Sequence, residues 1–149
     1  MTVTVTETVT ATPTTPAVAA PLAMGATAQF STFSATVHSV QLESAPNAPA
    51  PQSAGNHWAS VEVEGCNTGS QPFPVSGGPW QLVADDNRTF TMSSTGYSQF
   101  PEPDYGFGSG TLNPGECKRG WITFVVNDGA QITTVRYQND LGEGARWAL

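Results

Sequence analysis

Charged side chains are scarce in this sequence, and positive ones are the scarcest. Only 11% of the 149 residues are charged, and five Lys and Arg stand against twelve Asp and Glu. The resulting net charge of −7 repels a polyanion such as nucleic acid, and the few basic residues form no cluster that could override the repulsion. We therefore predict that the protein has no nucleic-acid partner.

Long apolar runs are missing as well. No segment approaches the roughly 18 consecutive apolar residues of a membrane-spanning helix. The N-terminus also lacks the basic start and apolar stretch of an export signal. We predict no direct membrane insertion by this chain. Features described below nevertheless suit an extracellular or cell-envelope protein, so we expect an export signal or anchor that is not part of this sequence.

A helical period of apolar residues is absent, and an alternating period takes its place. Residues 57–66 read HWASVEVEGC, which puts Ala59, Val61 and Val63 on one face of a strand and polar residues on the other. Similar strand signals occur at 30–42, 80–92, 120–126, 132–138 and 146–149. The alternation slips at His38 and Ser39, which predicts a β-bulge. Together with 15 Gly and 12 Pro, this pattern predicts an antiparallel sandwich or barrel.

The first 26 residues differ in composition from the rest of the chain. Eight Thr occur in the first fifteen positions, followed by a Pro- and Ala-rich stretch. Such a segment buries too little apolar surface to offset its ordering entropy. We predict a Thr/Pro-rich disordered stalk or linker over 1–26 and a folded domain over 27–149. The alternation of Val3, Val5 and Val9 leaves an edge strand as the alternative.

Two cysteines, Cys66 and Cys117, lie 51 positions apart. No Cys-x-x-Cys pair or neighbouring His suggests a metal or redox site, and an even cysteine count in an exported chain favours a disulfide. Free buried thiols and a functional thiol are the alternatives. The strand alternation places both cysteines on the polar faces of their strands. We therefore predict a Cys66–Cys117 bridge at the periphery of the fold and not across its core.

Three stretches carry a resemblance to a known family: WASVEVEGCNTGSQPFPVS, PWQLVADDNRTFTM and LNPGECKRGWITFVVNDGAQITTVRYQ. They resemble the immunoprotective-extracellular, immunoglobulin-like domain family of secreted and lipid-anchored actinobacterial proteins. The specific features are Asn67 and Gly69 after a strand, the Pro114–Glu116 turn, and Gly120, Ile122 and Phe124 in a strand. The resemblance covers about 30–149. It implies an all-β, antiparallel immunoglobulin-like β-sandwich of about seven to eight strands, outside the cytoplasm, with no established enzymatic activity.

One loop, residues 98–110, combines aromatic and acidic side chains with glycines. Its candidate ligand-binding residues are Phe100, Glu102, Asp104, Tyr105 and Phe107. Exposed aromatic rings beside carboxylates suit a protein, peptide or glycan ligand. The alternative is that these rings cap the open end of the sandwich. Among the candidates in this sequence, the loop is where we expect a ligand to bind.

Signals for catalysis and for metal binding are weak. No Gly-x-Ser-x-Gly motif occurs, and His38 and His57 are the available bases. The run Asp85-Asp86-Asn87 and the loop residues Asp128, Asp140 and Glu143 could donate oxygens to calcium, but such residues are also those that turns select. We predict no catalytic residue, no metal and no cofactor.

The function that these observations favour is a non-enzymatic extracellular or cell-surface module with a binding, adhesion or structural role. One alternative is an immunoglobulin-like domain that decorates a virion. A third hypothesis, of another class, is a secreted hydrolase that uses calcium or the carboxylates of Glu102 and Asp104.

Overall fold

The computed structural model describes residues 2–4, 20–108 and 110–149, and in this part of the chain it shows strands and turns without an α-helix. Nothing among these residues is a helix that could cross a lipid bilayer. Ten strands are present: β1 (Thr27–Gln29), β2 (Phe33–Gln41), β3 (Asn56–Asn67), β4 (Phe73–Val75), β5 (Trp80–Ala84), β6 (Thr89–Thr91), β7 (Gly110–Leu112), β8 (Cys117–Asn127), β9 (Ile132–Gln138) and β10 (Gly144–Ala148).

The strands form two four-stranded sheets that share one core. The first sheet has the order β1-β2-β3-β8, the second has the order β10-β9-β5-β6, and β4 pairs separately with β7. Neighbouring strands are antiparallel throughout. The ring of Phe33 in the first sheet lies 5.5 Å from that of Tyr137 in the second, and both are buried. The sheets therefore pack face to face, and the predicted antiparallel β-sandwich is confirmed.

The structure has ten strands where seven or eight were expected. The additional strands are β1, β4 and β7, which have three residues each. The predicted bulge in β2 is present. Val37 pairs with Val63 and Ser39 pairs with Glu62, which leaves His38 as the extra residue.

The disulfide between Cys66 and Cys117 is confirmed, and so is its peripheral position. The two residues are direct partners in the register between β3 and β8, with their Cα atoms 4.1 Å apart. Cys117 is exposed and Cys66 is half-buried. The bridge thus ties the ends of two neighbouring strands on the outer face of the first sheet and does not join the two sheets.

The predicted stalk falls mostly on residues 1 and 5–19, which lie outside the described part of the chain, so there it stays a prediction. Its last residues, however, contact the sandwich. Leu22 N donates to Arg146 O, and Leu22 O accepts from Ala148 N, both at 2.8 Å. The side chains of Leu22 and Met24 pack against the core. Leu22 and Met24 thus pack with the sandwich although they precede residue 27, where we expected the folded domain to begin.

Candidate functional site

The segment between β6 and β7, residues 92–108 as far as it is described, follows the outer edge of β8. Ser93 N donates to Thr123 O, and Tyr105 N donates to Trp121 O, both at 2.8 Å. Trp121 N in turn donates to Pro103 O, also at 2.8 Å. An edge strand otherwise presents unpaired backbone groups to other chains. The segment therefore covers part of this edge and is fixed to it at two points.

Tyr105, one of the five predicted ligand-binding residues, points into the core. Its exposed fraction is 1%. Its ring meets that of Trp80 edge-on at a centroid distance of 6.4 Å, and the ammonium group of Lys118 lies 5.3 Å from its centroid. Burial, followed by the charge of the Tyr137 oxygen, raises the pKa of Tyr105 far above its ordinary value. This side chain anchors the segment and is inaccessible to a ligand on the surface.

Gly120 on β8 is what allows the segment to approach so closely. A Cβ built at this position would lie 2.6 Å from Pro103 O and 3.1 Å from Tyr105 N. Real Cβ atoms essentially never approach a heavy atom this closely. The glycine of the Gly-x-ϕ-x-Phe strand therefore has a physical role here, because a larger residue would lift the segment off β8.

The other four predicted residues, Phe100, Glu102, Asp104 and Phe107, line one open groove of about 240 Å³. Phe107 is 46% exposed. Asp104 Oδ2 accepts a hydrogen bond from Phe107 N at 2.8 Å, which holds the turn that presents the ring. Glu102 is exposed and has no side-chain hydrogen bond or ion pair among the described residues. We call this feature the aromatic groove.

Two further residues shape the aromatic groove, and the sequence analysis did not single them out. Tyr97 lines it together with Phe100, and their rings meet edge-on at 5.4 Å. The buried indole of Trp58 contacts both rings, at 6.0 Å and 4.9 Å, and its Nε1 donates to Pro49 O. Tyr97 lies one residue before the loop that we delimited. In the structure, Phe100 N donates a hydrogen bond to Tyr97 O, and this turn places the two rings side by side.

The histidines that could serve a serine nucleophile are each engaged with a carboxylate. His38 Nε2 lies 2.8 Å from Glu64 Oε2, and His57 Nδ1 lies 2.7 Å from Asp128 Oδ1. No hydrogen bond joins either ring to a serine hydroxyl in residues 2–4, 20–108 and 110–149. The structure thus does not assemble a triad in the described part of the chain.

Three of the acidic loop residues that could bind calcium, Asp86, Asp128 and Glu143, have side-chain partners. Asp86 accepts from the backbone amide and the Nε of Arg88, and that backbone bond is the main reason why its pKa is lowered. Glu143 accepts from the backbone and hydroxyl of Ser31, which lowers its pKa. A different set, Glu64, Cys66 and Cys117, has its donor atoms within 4.8 Å of one another. Both sulfurs of that set are in the disulfide, so they offer no thiolate to a metal.

Residues 22–146 match a family described as a domain of unknown function, DUF4352. The chain belongs to this family. The match includes β1 to β9, the first residues of β10 and the segment that forms the aromatic groove, and it begins at Leu22, which bonds to β10 in the structure. No curated protein matches the sequence.

Solved structures share the fold of this DUF4352 domain at low sequence identity. The secreted protein MPT63 of Mycobacterium tuberculosis is 15% identical, with a TM-score of 0.63 over 89% of this chain and 100% of that one. A candidate lipoprotein of Bacillus subtilis, ycdA, is 18% identical, with a TM-score of 0.57 over 83% of this chain. An uncharacterised β-sandwich protein of Clostridium difficile is 10% identical, with a TM-score of 0.52 over 87% of this chain and 93% of that one.

The DUF4352 domain spans only 38% of the ycdA chain, so it corresponds to one part of that larger protein. Identities this low establish the β-sandwich fold alone. Proteins that share the fold of this domain thus include a secreted protein and a candidate lipoprotein, and the function of the domain has to be argued from its own residues.

Proposed function

We propose that this DUF4352 domain is a non-enzymatic extracellular or cell-surface module that binds its ligand, a protein, peptide or glycan, in the aromatic groove. The observation that carries the proposal is the convergence of Phe100, Glu102, Asp104 and Phe107 on a single groove. Scattered surface aromatics are ordinary, whereas rings and carboxylates that line one concavity are typical of binding sites.

The geometry of the groove supports binding because much of it is already fixed. Phe100 and Tyr97 are wedged against the buried indole of Trp58, and the segment that carries them is hydrogen-bonded to β8. A rigid aromatic surface loses little conformational freedom when a ligand settles on it. The unpaired carboxylate of Glu102 adds an acceptor that a ligand hydroxyl, amide or ammonium group could use.

The described residues that line the groove include the carboxylates of Glu102 and Asp104 but no histidine, which supports a non-catalytic role. His38 and His57 are paired with Glu64 and Asp128, and Glu62 accepts from Arg119 Nε at 2.9 Å. Each group is therefore held by a neighbouring side chain and not presented to the groove. A general base needs access to the proton that it removes from a substrate, and these groups line no part of the groove.

An extracellular location is supported by three observations. The disulfide between Cys66 and Cys117 suits an oxidising compartment. The sequence resembles the immunoprotective-extracellular, immunoglobulin-like family, and we infer that the chain is related to it. Finally, the proteins of similar fold include a secreted protein and a candidate lipoprotein.

Arrays of immobilised glycans and peptides, probed with fluorescently labelled domain, test the proposal. We expect wild-type signal on at least one array feature, lost in both Phe107→Ala and Glu102→Gln. The matched control is Leu141→Ala, because Leu141 is also a largely exposed apolar residue but lines a different cleft. Thermal melts verify that all variants are folded. Signal that survives both groove variants, or no signal from the folded wild type, would overturn the proposal.

A further inference from the structure

A second cleft adjoins the aromatic groove, and Tyr97 lines both. It has a volume of about 460 Å³ and lies between residues 51–56 and residues 89–97. None of the described residues that line it is an Asp, Glu, Lys, Arg or His. We call it the neutral cleft. A sizeable concavity without ionisable carboxylate or basic groups is notable in a chain with a net charge of −7.

The neutral cleft is rich in uncharged hydrogen-bonding groups that the fold does not use. Among the described residues, no side-chain hydrogen bond is made by the amide of Gln52 or by the hydroxyls of Thr89, Thr91, Ser94 and Thr95. The amide of Asn56 shows the contrast. Its Oδ1 accepts from Asn127 and its Nδ2 donates to Ser53 O, so it is occupied in holding the loop. The unused groups both donate and accept, and they remain available to a ligand.

An apolar surface separates the two concavities. The ring of Tyr97 lies between the neutral cleft and the aromatic groove and is held edge-on by Trp58 at 6.0 Å and Phe100 at 5.4 Å. Its neighbours in the groove are the rings of Phe100 and Phe107 and the free carboxylate of Glu102. A ligand that crosses Tyr97 therefore meets aromatic faces in the middle, neutral donors and acceptors on one side, and carboxylate acceptors on the other.

We propose that a neutral oligosaccharide lies across Tyr97 and occupies both the neutral cleft and the aromatic groove. A sugar ring has apolar C–H faces that pack on aromatic rings and a rim of hydroxyls that both donate and accept. An anionic glycan would be repelled by the net charge and by Glu102 and Asp104. A basic peptide would find carboxylates in the aromatic groove but would leave its charges unpaired in the neutral cleft. The proposal rests on the function proposed above and assigns its ligand class.

Isothermal titration of the folded, oxidised domain with cellohexaose, xylohexaose, maltohexaose and chitohexaose tests the assignment. We expect binding of at least one hexasaccharide, with an affinity that changes little with salt because no ion pair forms. Tyr97→Ala should weaken binding by about tenfold or more through loss of the central aromatic face. The pair Gln52→Ala and Thr95→Val, which removes neutral-cleft groups only, should weaken it by about tenfold.

Gln131→Ala is the matched control, because this exposed glutamine lines neither concavity, and it should bind like the wild type. Absence of binding by all four sugars at about 10 mM, ten times a Kd of about 1 mM, would overturn the assignment. If a Lys-containing hexapeptide then binds to the wild type but not to Phe107→Ala, the aromatic groove is supported as the binding site and the oligosaccharide is refuted as its ligand. Sugar binding that needs Gln52 and Thr95 but not Phe107 or Glu102 would instead support the neutral cleft and refute the aromatic groove.

Discussion

Replacement of Gly120 by Ala tests how the 92–108 segment is attached to β8. The added Cβ would lie 2.6 Å from Pro103 O and 3.1 Å from Tyr105 N. Both atoms belong to the backbone, so neither can swing away like the tip of a side chain. For Pro103 O to retreat to the 3.4 Å at which ordinary contacts begin, the segment must lift from β8. The hydrogen bonds that join Trp121 to Pro103 and Tyr105 would then lengthen.

We expect Gly120→Ala to lower the free energy of unfolding by about 1–3 kcal/mol, the usual effect of an extra methyl group forced into a packed interior. Urea unfolding followed by tryptophan fluorescence measures the change. Gly78→Ala is the matched control, because the nearest heavy atom to its added Cβ is Ser76 Oγ at 3.6 Å. The control should change stability by about 0.5 kcal/mol or less. If Gly120→Ala were as stable as Gly78→Ala, the reasoning about close backbone approach would be refuted.

Three other perturbations follow from the same structure. Reduction of the bridge between Cys66 and Cys117 should lower stability by about 4 kcal/mol in the chain-entropy model, measured by urea unfolding with and without reductant, and an unchanged midpoint would contradict this. The pKa of the Glu143 carboxyl is lowered in the folded state, chiefly by the hydrogen bond that it accepts from Ser31 N. The ionised carboxylate therefore stabilises the fold above pH 4.5, the ordinary pKa, and this contribution is lost as the pH falls below that value. Thermal melts of Glu143→Gln should therefore show a shallower loss between neutral and acidic pH, and an equally steep loss would count against it. Deletion of residues 1–26 should cost about 1–3 kcal/mol more than deletion of 1–19, because it removes Leu22 and its backbone bonds, and equal melting curves would refute that packing.

Much of the fold was predictable from local sequence pattern. The alternation in 57–66 identified β3, and its phase identified the outer face on which Cys66 lies. The slip at His38 likewise predicted the bulge in β2. These features could be predicted because period-two burial is a property of each strand alone.

Short strands and long-range pairings could not be predicted in this way. β4 and β7 have three residues each, and they pair across more than thirty intervening positions of the chain. Three residues are too few for alternation to be distinguished from a loop. The packing of Leu22 beside β10 was missed for a similar reason, since a single backbone partner at the far end of the sequence leaves no periodic signal.

The composition of the sequence indicated which loop carries the candidate site. It did not indicate which side chains of that loop line the groove. The sequence singled out the aromatic and acidic loop, and the structure brings Phe100, Glu102, Asp104 and Phe107 together while it takes Tyr105 into the core. Alternation does not apply to an irregular segment, so the sequence does not tell which ring is the anchor. Trp58 and Tyr97 join the site from β3 and from the edge of the loop through contacts that only the folded chain reveals.

Native-state hydrogen exchange of the 92–108 segment tests the central claim. The claim is that this segment is hydrogen-bonded to the edge of β8 and holds the groove in a fixed shape, and that it is not a free loop. Ser93 and Tyr105 each donate a backbone hydrogen bond to β8, and Trp121 donates one back to the segment. The account predicts that these three amides exchange much more slowly than those of an unstructured peptide, with protection close to that of the β3–β8 ladder. Exchange of all three at unprotected rates, while that ladder stays protected, would contradict it.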